Sequence, residues 1–310
     1  MRAVFFGTPQ IAVPALRALA RIAEIVGVVC QPDRPAGRGL SLKSPEVKVA
    51  ALELGLEVTQ PTRVRDGALE AWLRERRPDV ALVLAYGRIL PRGVLDAPAR
   101  GCVNLHASLL PAYRGAAPIQ WSIIRGETVT GISLMQMDEG LDSGPVYLKR
   151  SLPIGPDETS GELSARLAEL AAQVTLEGLP KVVRGELQAE PQDETRVTLA
   201  PPLERAHGVI DWTQSSQSIH DLVRGLSPRP SAFTTSGGQR LRIAVTRLAS
   251  PVPVLEPGLV RVERPRVLVG TGDGALELVR AQLEGKRELA ALDLVNGRAL
   301  TDAQVLGGTS

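Results

Sequence analysis

Strand-like and helix-like stretches take turns through the first half of this chain, and few folds accommodate that order. Residues 2–6 form a short apolar run stopped by Gly7-Thr8-Pro9. Residues 11–22 carry apolar side chains at helical spacing, and residues 25–30 return to a continuous apolar run. Residues 46–54 and 67–76 have helical character, whereas 80–85, 102–106, 130–137 and 146–152 are short and strand-like. Residues 159–184 close the series as a long amphipathic helix, with Thr159 or Ser160 as its N-cap. This alternation predicts an α/β fold with a doubly wound, mostly parallel sheet.

The order is Rossmann-like, but the dinucleotide fingerprint is missing. Gly7-Thr8-Pro9 stands where a G-x-G-x-x-G turn would be, which argues against NAD or FAD. Past the long helix the pattern changes. Residues 186–207 are polar, without a clear period, and read as a linker. From 208 onward, short segments are separated by turns such as Ser236-Gly237-Gly238 and Gly270-Thr271-Gly272-Asp273-Gly274. That predicts a β-rich second domain closing into a small barrel. The expected division is thus 1–185, 186–207 and 208–310.

Composition narrows the function classes. The 310 residues, 44% of them hydrophobic and 23% charged, suffice for two buried cores. The net charge of +2 gives no global field toward nucleic acid, so any such binding needs a local patch. Cys30 and Cys102 stand far apart, with no disulfide framework or metal spacing, and read as buried reduced thiols. No apolar run reaches the roughly 20 residues of a membrane span, and no leader pattern precedes the first strand. A cytoplasmic enzyme that works without a metal and without a membrane is expected, as a monomer.

The stretch richest in chemistry is Asn104-Leu105-His106-Ala107-Ser108-Leu109-Leu110-Pro111. It ends an apolar run and opens a turn. On an extended segment, Asn104 and His106 share one face. His106 is one of only three histidines. An imidazole beside a carboxamide suits acyl-type transfer, one handling a proton and the other holding an oxyanion. A carboxylate to orient the histidine is offered by Asp142 in Gly140-Leu141-Asp142-Ser143-Gly144. Both segments are expected just past strand ends, where open α/β sheets bind ligands. Taken singly, each residue has an ordinary structural reading: a core histidine, or turn formers. Their combination is what carries the argument. Leu109-Leu110-Pro111 beside Gly115 can wall a flat heterocycle, or simply be an apolar turn.

On these residues the chain resembles the 10-formyltetrahydrofolate-dependent formyltransferases, and among them the members that act on methionyl-tRNA. The resemblance extends over essentially the whole chain. It includes Gly7-Thr8-Pro9, the loop Gln31-Pro32-Asp33-Arg34-Pro35-Ala36-Gly37-Arg38-Gly39, Ala85-Tyr86-Gly87, Arg114-Gly115-Ala116-Ala117-Pro118-Ile119-Gln120, Met135-Gln136-Met137-Asp138 and Ile210-Asp211-Trp212. It implies Asn104, His106 and Asp142 as the catalytic trio, and Ser108, Leu109, Leu110 and Pro111 as a folate-binding turn. Arg88, Ile89, Leu90 and the backbone of residues 138–142 match segments that flank the pterin. The loop with Arg34, Gly37, Arg38, Gly39 and Lys43 matches an insertion that enters the acceptor stem of the tRNA. The C-terminal domain resembles an OB-like barrel that helps hold that tRNA. The chain departs from the family pattern at Tyr113, Pro202 and Arg229.

The implied reaction moves a formyl group from 10-formyltetrahydrofolate to the α-amine of methionyl initiator tRNA. Asn104 would donate to the developing oxyanion, and Asp142 would favour the His106 imidazolium. From sequence the proton acceptor stays open between His106 and Asp142. Two other readings stand beside this one: a sugar-nucleotide formyltransferase, which has no use for a Gly-Arg-Gly finger, and a tRNA-binding module without activity, which has no use for the trio.

Overall fold

The computed structural model describes residues 1–36, 41–250 and 253–307. They fall into two units. The first comprises Met1–Pro118, Val129–Pro153 and Ser164–Pro201, and the second Ile119–Thr128, Ile154–Leu163 and Pro202–Ser310.

The first unit is built on a seven-stranded sheet. Its strands are β1 (Arg2–Gly7), β2 (Glu24–Val29), β5 (Val58–Thr59), β6 (Val80–Leu84), β7 (Cys102–His106), β9 (Val129–Gln136) and β10 (Val146–Pro153), in the order β10-β9-β7-β6-β1-β2-β5. From β5 to β7 every neighbouring pair is parallel. β9 and β10 then extend the sheet antiparallel. Every residue of β6 and β7 is buried, as are Ala3–Phe6 of β1. Strands covered on both faces show no polar alternation, which is why they read as plain apolar runs. Helices α1 (Val13–Leu19), α2 (Glu46–Glu53), α3 (Ala68–Arg76) and α4 (Arg92–Leu95) make the connections.

One expectation needs correcting here. Residues 31–44 are not all loop: β3 (Arg34–Ala36) and β4 (Ser41–Lys43) pair antiparallel as a hairpin, Arg34 opposite Lys43. Three-residue strands bearing Arg, Pro and Lys carry no apolar alternation by which to be found. Gly37, Arg38 and Gly39 lie outside the described residues. The compact units also interleave along the chain, which is a separate matter from the expected division. Part of the expected linker belongs to the first unit: β11 (Leu199–Ala200) pairs parallel with β8 (Arg114–Gly115), and Glu190 bridges Val146. These are long-range pairings that local composition does not display.

Helix α5 (Pro118–Ile124) sends Ile124 into the core of the second unit. Helix α6 (Ser160–Val183) starts within the second unit and continues in the first. Its start is a capping box: the Thr159 hydroxyl accepts from the Glu162 N–H at 3.3 Å, and the Glu162 carboxylate accepts from the Thr159 N–H at 2.9 Å.

The second unit packs α7 (Ser216–Gly225) against an antiparallel sheet. Its strands are β12 (Ala232–Ser236), β13 (Gln239–Leu248), β14 (Val260–Glu263), β15 (Arg266–Thr271) and β16 (Gly274–Leu283), in the order β12-β13-β16-β15-β14. β17 (Leu289–Ala290) joins β16, and α8 (Ala291–Asn296) follows it. The chain at 303–307 bonds to Val260 of β14 on one side and to Thr235 of β12 on the other. It thereby bridges the two edge strands and nearly closes the sheet into a barrel.

Candidate active site

β7 lies between β6 and β9, with Asn104 opposite Met135 and His106 opposite Ser133. Alternation turns the Asn104 and His106 side chains to the same face. Both residues lie in the strand, His106 being its last residue, and the turn that carries Ser108 follows directly. Asp142 follows the end of β9. It stands in the connection from β9 to the antiparallel β10.

His106 is 5% exposed and gripped from two sides. Its Nε2 lies 2.8 Å from the Tyr113 carbonyl, and its Nδ1 lies 3.5 Å from Asp142 Oδ2. A carbonyl only accepts, so Nε2 carries a hydrogen. In the neutral ring the Nδ1 lone pair therefore faces a carboxylate. A proton on Nδ1 would face the Asp142 carboxylate, so the two side chains are placed to pass a proton between them. Asn104 is 9% exposed, and among the described residues no partner is recorded for its carboxamide. An uncommitted amide N–H is what an oxyanion requires.

Asp142 is itself fixed. Its Oδ2 accepts from the Gly115 N–H at 2.9 Å, and its backbone has φ +52°. Gly115 has φ +127°, and a Cβ there would approach the Ala200 carbonyl oxygen to 2.5 Å. Only glycine suits that position, where β8 meets β11. Gln192 completes the frame. Its amide donates to the carbonyls of Asp142 (2.8 Å) and Gly144 (2.7 Å), and its Oε1 accepts from Arg114 Nη2 at 2.9 Å. Arg114 in turn meets Glu194 at 2.7 Å, its own side chain nearly buried. Gln192 and Glu194 were not found by sequence reasoning. They come from the expected linker, some fifty residues from Asp142, and carry no local signature.

The other predicted residues are placed unevenly. Ser108 is buried, its hydroxyl donating to the Ala112 carbonyl, while Ser133 Oγ donates to the Ser108 carbonyl at 2.7 Å. Leu110 is buried in a cluster with Met135 and Val146. Leu109 and Pro111 are half-buried, Leu109 lying against Gly131. Leu90 belongs to the core, but Ile89 is 65% exposed and Leu141 is 59% exposed. Arg88 Nε donates to Gln31 at 3.0 Å and its Nη1 to the Thr62 carbonyl at 2.6 Å. Arg34 and Lys43 are exposed on the hairpin, and Lys43 meets Glu46 at 2.6 Å. Burial pushes the thiols of Cys30 to about 11 and Cys102 to about 12, so neither is a nucleophile at neutral pH. Among the described residues no group of three His, Cys, Asp or Glu can hold a metal, and no helix is long and apolar enough to cross a membrane.

Comparison with known proteins agrees with this geometry. Residues 1–179 match the family described as formyl transferase, and residues 202–299 match the formyl transferase C-terminal domain. The methionyl-tRNA formyltransferase of Sorangium cellulosum is 56% identical over 310 residues, covering 99% of this chain and 100% of the relative. That of Solibacter usitatus is 47% identical, covering 99% of each. Among solved structures, the sugar 3N-formyl transferase WlaRD matches with TM-score 0.68 at 17% identity, covering 93% of this chain and 99% of that one. HypX from Aquifex aeolicus, solved with tetrahydrofolic acid, matches with TM-score 0.65 at 17% identity. This chain covers 97% of its own length in that match and spans about half of HypX, 48%. At such identities the two structures speak for the fold alone.

Proposed function

The chain belongs to the formyl transferase family, and on that premise we infer that it carries the formyl group of 10-formyltetrahydrofolate to the α-amine of methionyl initiator tRNA. The observation that carries the mechanism is the His106–Asp142 pair beside the uncommitted Asn104 amide. The amine attacks the formyl carbon, a C–N bond forms and the carbonyl oxygen becomes an oxyanion. Asn104 donates to that oxygen, a contact worth about 3–4 kcal/mol in such sites. The C–N10 bond then breaks. The amine loses one proton and N10 gains one, and the neighbouring His106 and Asp142 relay that proton from one to the other. Gly115 and Gln192 keep the carboxylate in place. The Tyr113 carbonyl keeps the ring from turning.

Ile89 and Leu141 are exposed apolar side chains that suit the faces of a pterin, and the turn at 108–111 meets the folate through Leu109, Pro111 and its backbone. Arg88, bonded to Gln31 and the Thr62 carbonyl, and the buried Leu90 would support Ile89 from its two sides in sequence. Arg34, Lys43 and the residues Gly37, Arg38 and Gly39 take the acceptor end of the tRNA, and the domain from 208 onward holds its body. An aminoacyl-tRNA acceptor goes with a cytoplasmic monomer. The test is direct: offer the protein 10-formyltetrahydrofolate with charged initiator tRNA or with a nucleotide-linked amino sugar. Formylation of the tRNA alone is expected. Formylation of the sugar alone would replace this reading with the sugar-nucleotide one.

A further inference from the structure

The hairpin at 34–43 stands on an unusually well-bonded base. Asp33 immediately precedes β3 and Ser44 immediately follows β4. The Ser44 hydroxyl donates to Asp33 Oδ2 at 3.1 Å, tying the two feet together. Lys48, on α2, donates to both Asp33 oxygens at 2.9 and 2.8 Å, and Gln60 Nε2 donates to Oδ1 at 2.8 Å. The Asp33 carboxylate thus accepts from three side chains belonging to three different segments. Gln60 Nε2 also donates to the Gln31 carbonyl at 2.8 Å.

Gln31 is 6% exposed and has every polar group engaged. Its backbone N–H donates to Thr8 Oγ1 at 3.3 Å, its Nε2 donates to the Tyr86 carbonyl at 3.1 Å, and its Oε1 accepts from Arg88. One unbroken chain of hydrogen bonds therefore runs from the hairpin's feet through Asp33, Gln60 and Gln31 to the segment carrying Arg88. None of the three is a candidate for contact with substrate.

We propose that Asp33, Gln60 and Gln31 are positioning residues for acceptor recognition: they fix the direction of the hairpin relative to the folate-flanking segment. This rests on the reading of the hairpin as the tRNA-binding element. A hairpin whose two strands pair only with each other has no sheet to hold its aim, so its base must. Charge-assisted bonds to a carboxylate are the stiffest available hinge stops. Gln31 makes that base continuous with the wall of the folate site, so both substrates are referred to one frame.

The experiment compares Asp33→Asn and Gln60→Ala with Arg34→Ala/Lys43→Ala, measuring KM for charged initiator tRNA, KM for 10-formyltetrahydrofolate, kcat and Tm. Asp33→Asn is expected to raise the tRNA KM about tenfold, the scale of one charge-assisted contact, and to leave the folate KM within about twofold. Gln60→Ala, at a half-buried position, should show the same split more weakly. Asp33→Glu should restore part of the loss. Combined with Arg34→Ala/Lys43→Ala, Asp33→Asn should add little, because it acts through the hairpin. An unchanged tRNA KM in both Asp33→Asn and Gln60→Ala overturns the proposal. So does a parallel rise of both KM values, or full additivity, since these mark a general loss of structure. If Arg34→Ala/Lys43→Ala leaves tRNA kinetics untouched, the reading of the hairpin fails. If that variant is impaired while Asp33→Asn is not, only the positioning role fails.

Discussion

β7 and the hairpin of β3 and β4 are assigned to the two substrates of one reaction under opposite physical conditions. All five residues of β7 are buried, and the strand has a hydrogen-bonded neighbour on each side. The hairpin's short strands pair only with each other, and its described cations, Arg34 and Lys43, are exposed. Stabilising an oxyanion requires donors held within about 0.5 Å, which a strand in the middle of a sheet provides. Taking hold of an acceptor stem requires reach and positive charge, which an exposed hairpin provides at the cost of sensitivity to salt. Precision and reach are separated into different elements, and the chain of bonds through Gln31 ties the hairpin to the segment of Tyr86 and Arg88 that follows β6.

The comparison breaks first at the trio. Asn104→Ala, His106→Ala and Asp142→Ala should each lower kcat about a hundred- to a thousandfold, with the fold intact by circular dichroism and tRNA affinity little changed. Their effects should not add, because the three act as a unit. Near-normal turnover of Asp142→Ala would remove the His106–Asp142 pair from the mechanism.

Next comes Arg38. Arg38→Ala should cost kcat/KM for charged initiator tRNA about 1–3 kcal/mol, the range of a single arginine contact to nucleic acid. The affinity that it supports should fall as salt rises. An acceptor stem with an unpaired end avoids an opening cost of a few kcal/mol, so wild type should prefer it to a fully paired one. The decisive quantity is the ratio of the two tRNAs as substrates. If Arg38→Ala preserves both the ratio and the activity, Arg38 is only a solvated charge, and the contrast between the two regions loses its recognition half.

Gly115→Ala probes the join between strand and loop on the precise side. The alanine keeps the N–H that Asp142 accepts but cannot sit comfortably at φ +127° with its Cβ 2.5 Å from the Ala200 carbonyl oxygen. Strain of about 1–3 kcal/mol is expected, read as a lower Tm and a roughly tenfold loss of kcat as the carboxylate shifts. A variant with wild-type kcat would mean that Asp142 is positioned by something other than this amide.

How much of this was legible depends on whether the controlling contact is local. β1, β2, β6 and β7 were readable because strands buried on both faces are written as apolar runs. Asn104 and His106 were readable because alternation alone puts them on one face. The helix start at Thr159 was readable because a capping box spans only four residues. The β3–β4 pairing was not, since Arg34-Pro35-Ala36 and Ser41-Leu42-Lys43 carry no periodic signal. Ser108 and Leu110 were expected at a ligand face and are buried, because the turn folds back onto Ser133 and Met135 of β9. Gly115 was visible as part of a motif, but its bond to Asp142 was not. Nothing local marks Gln192, whose importance exists only once the chain at 186–201 returns to β8.

Gln192 therefore supplies the smallest and most discriminating effect. Its amide serves two carbonyls of the Asp142 turn and its oxygen serves Arg114. Gln192→Ala removes neutral hydrogen bonds worth about 0.5–1.5 kcal/mol each, net of water. Because the turn is partly open, water replaces some of them. A fall in kcat of about three- to tenfold is expected, with the tRNA KM nearly unchanged, since Gln192 bonds to the Asp142 turn and to Arg114 and not to the hairpin. A purely structural loss would lower Tm and leave a penalty in every background. A positioning role predicts something different: in an Asp142→Ala background, Gln192→Ala should have no further effect on kcat, because the group it holds is gone. Glutamate at 192 sharpens the point. It retains an acceptor for Arg114 but cannot donate to the carbonyls of Asp142 and Gly144, so Gln192→Glu should behave like alanine in kcat while keeping more of the wild-type stability. If Gln192→Glu instead matches wild type in kcat, the Arg114 contact alone maintains the site, and the rigidity of the catalytic region rests on β8 rather than on the turn that carries Asp142.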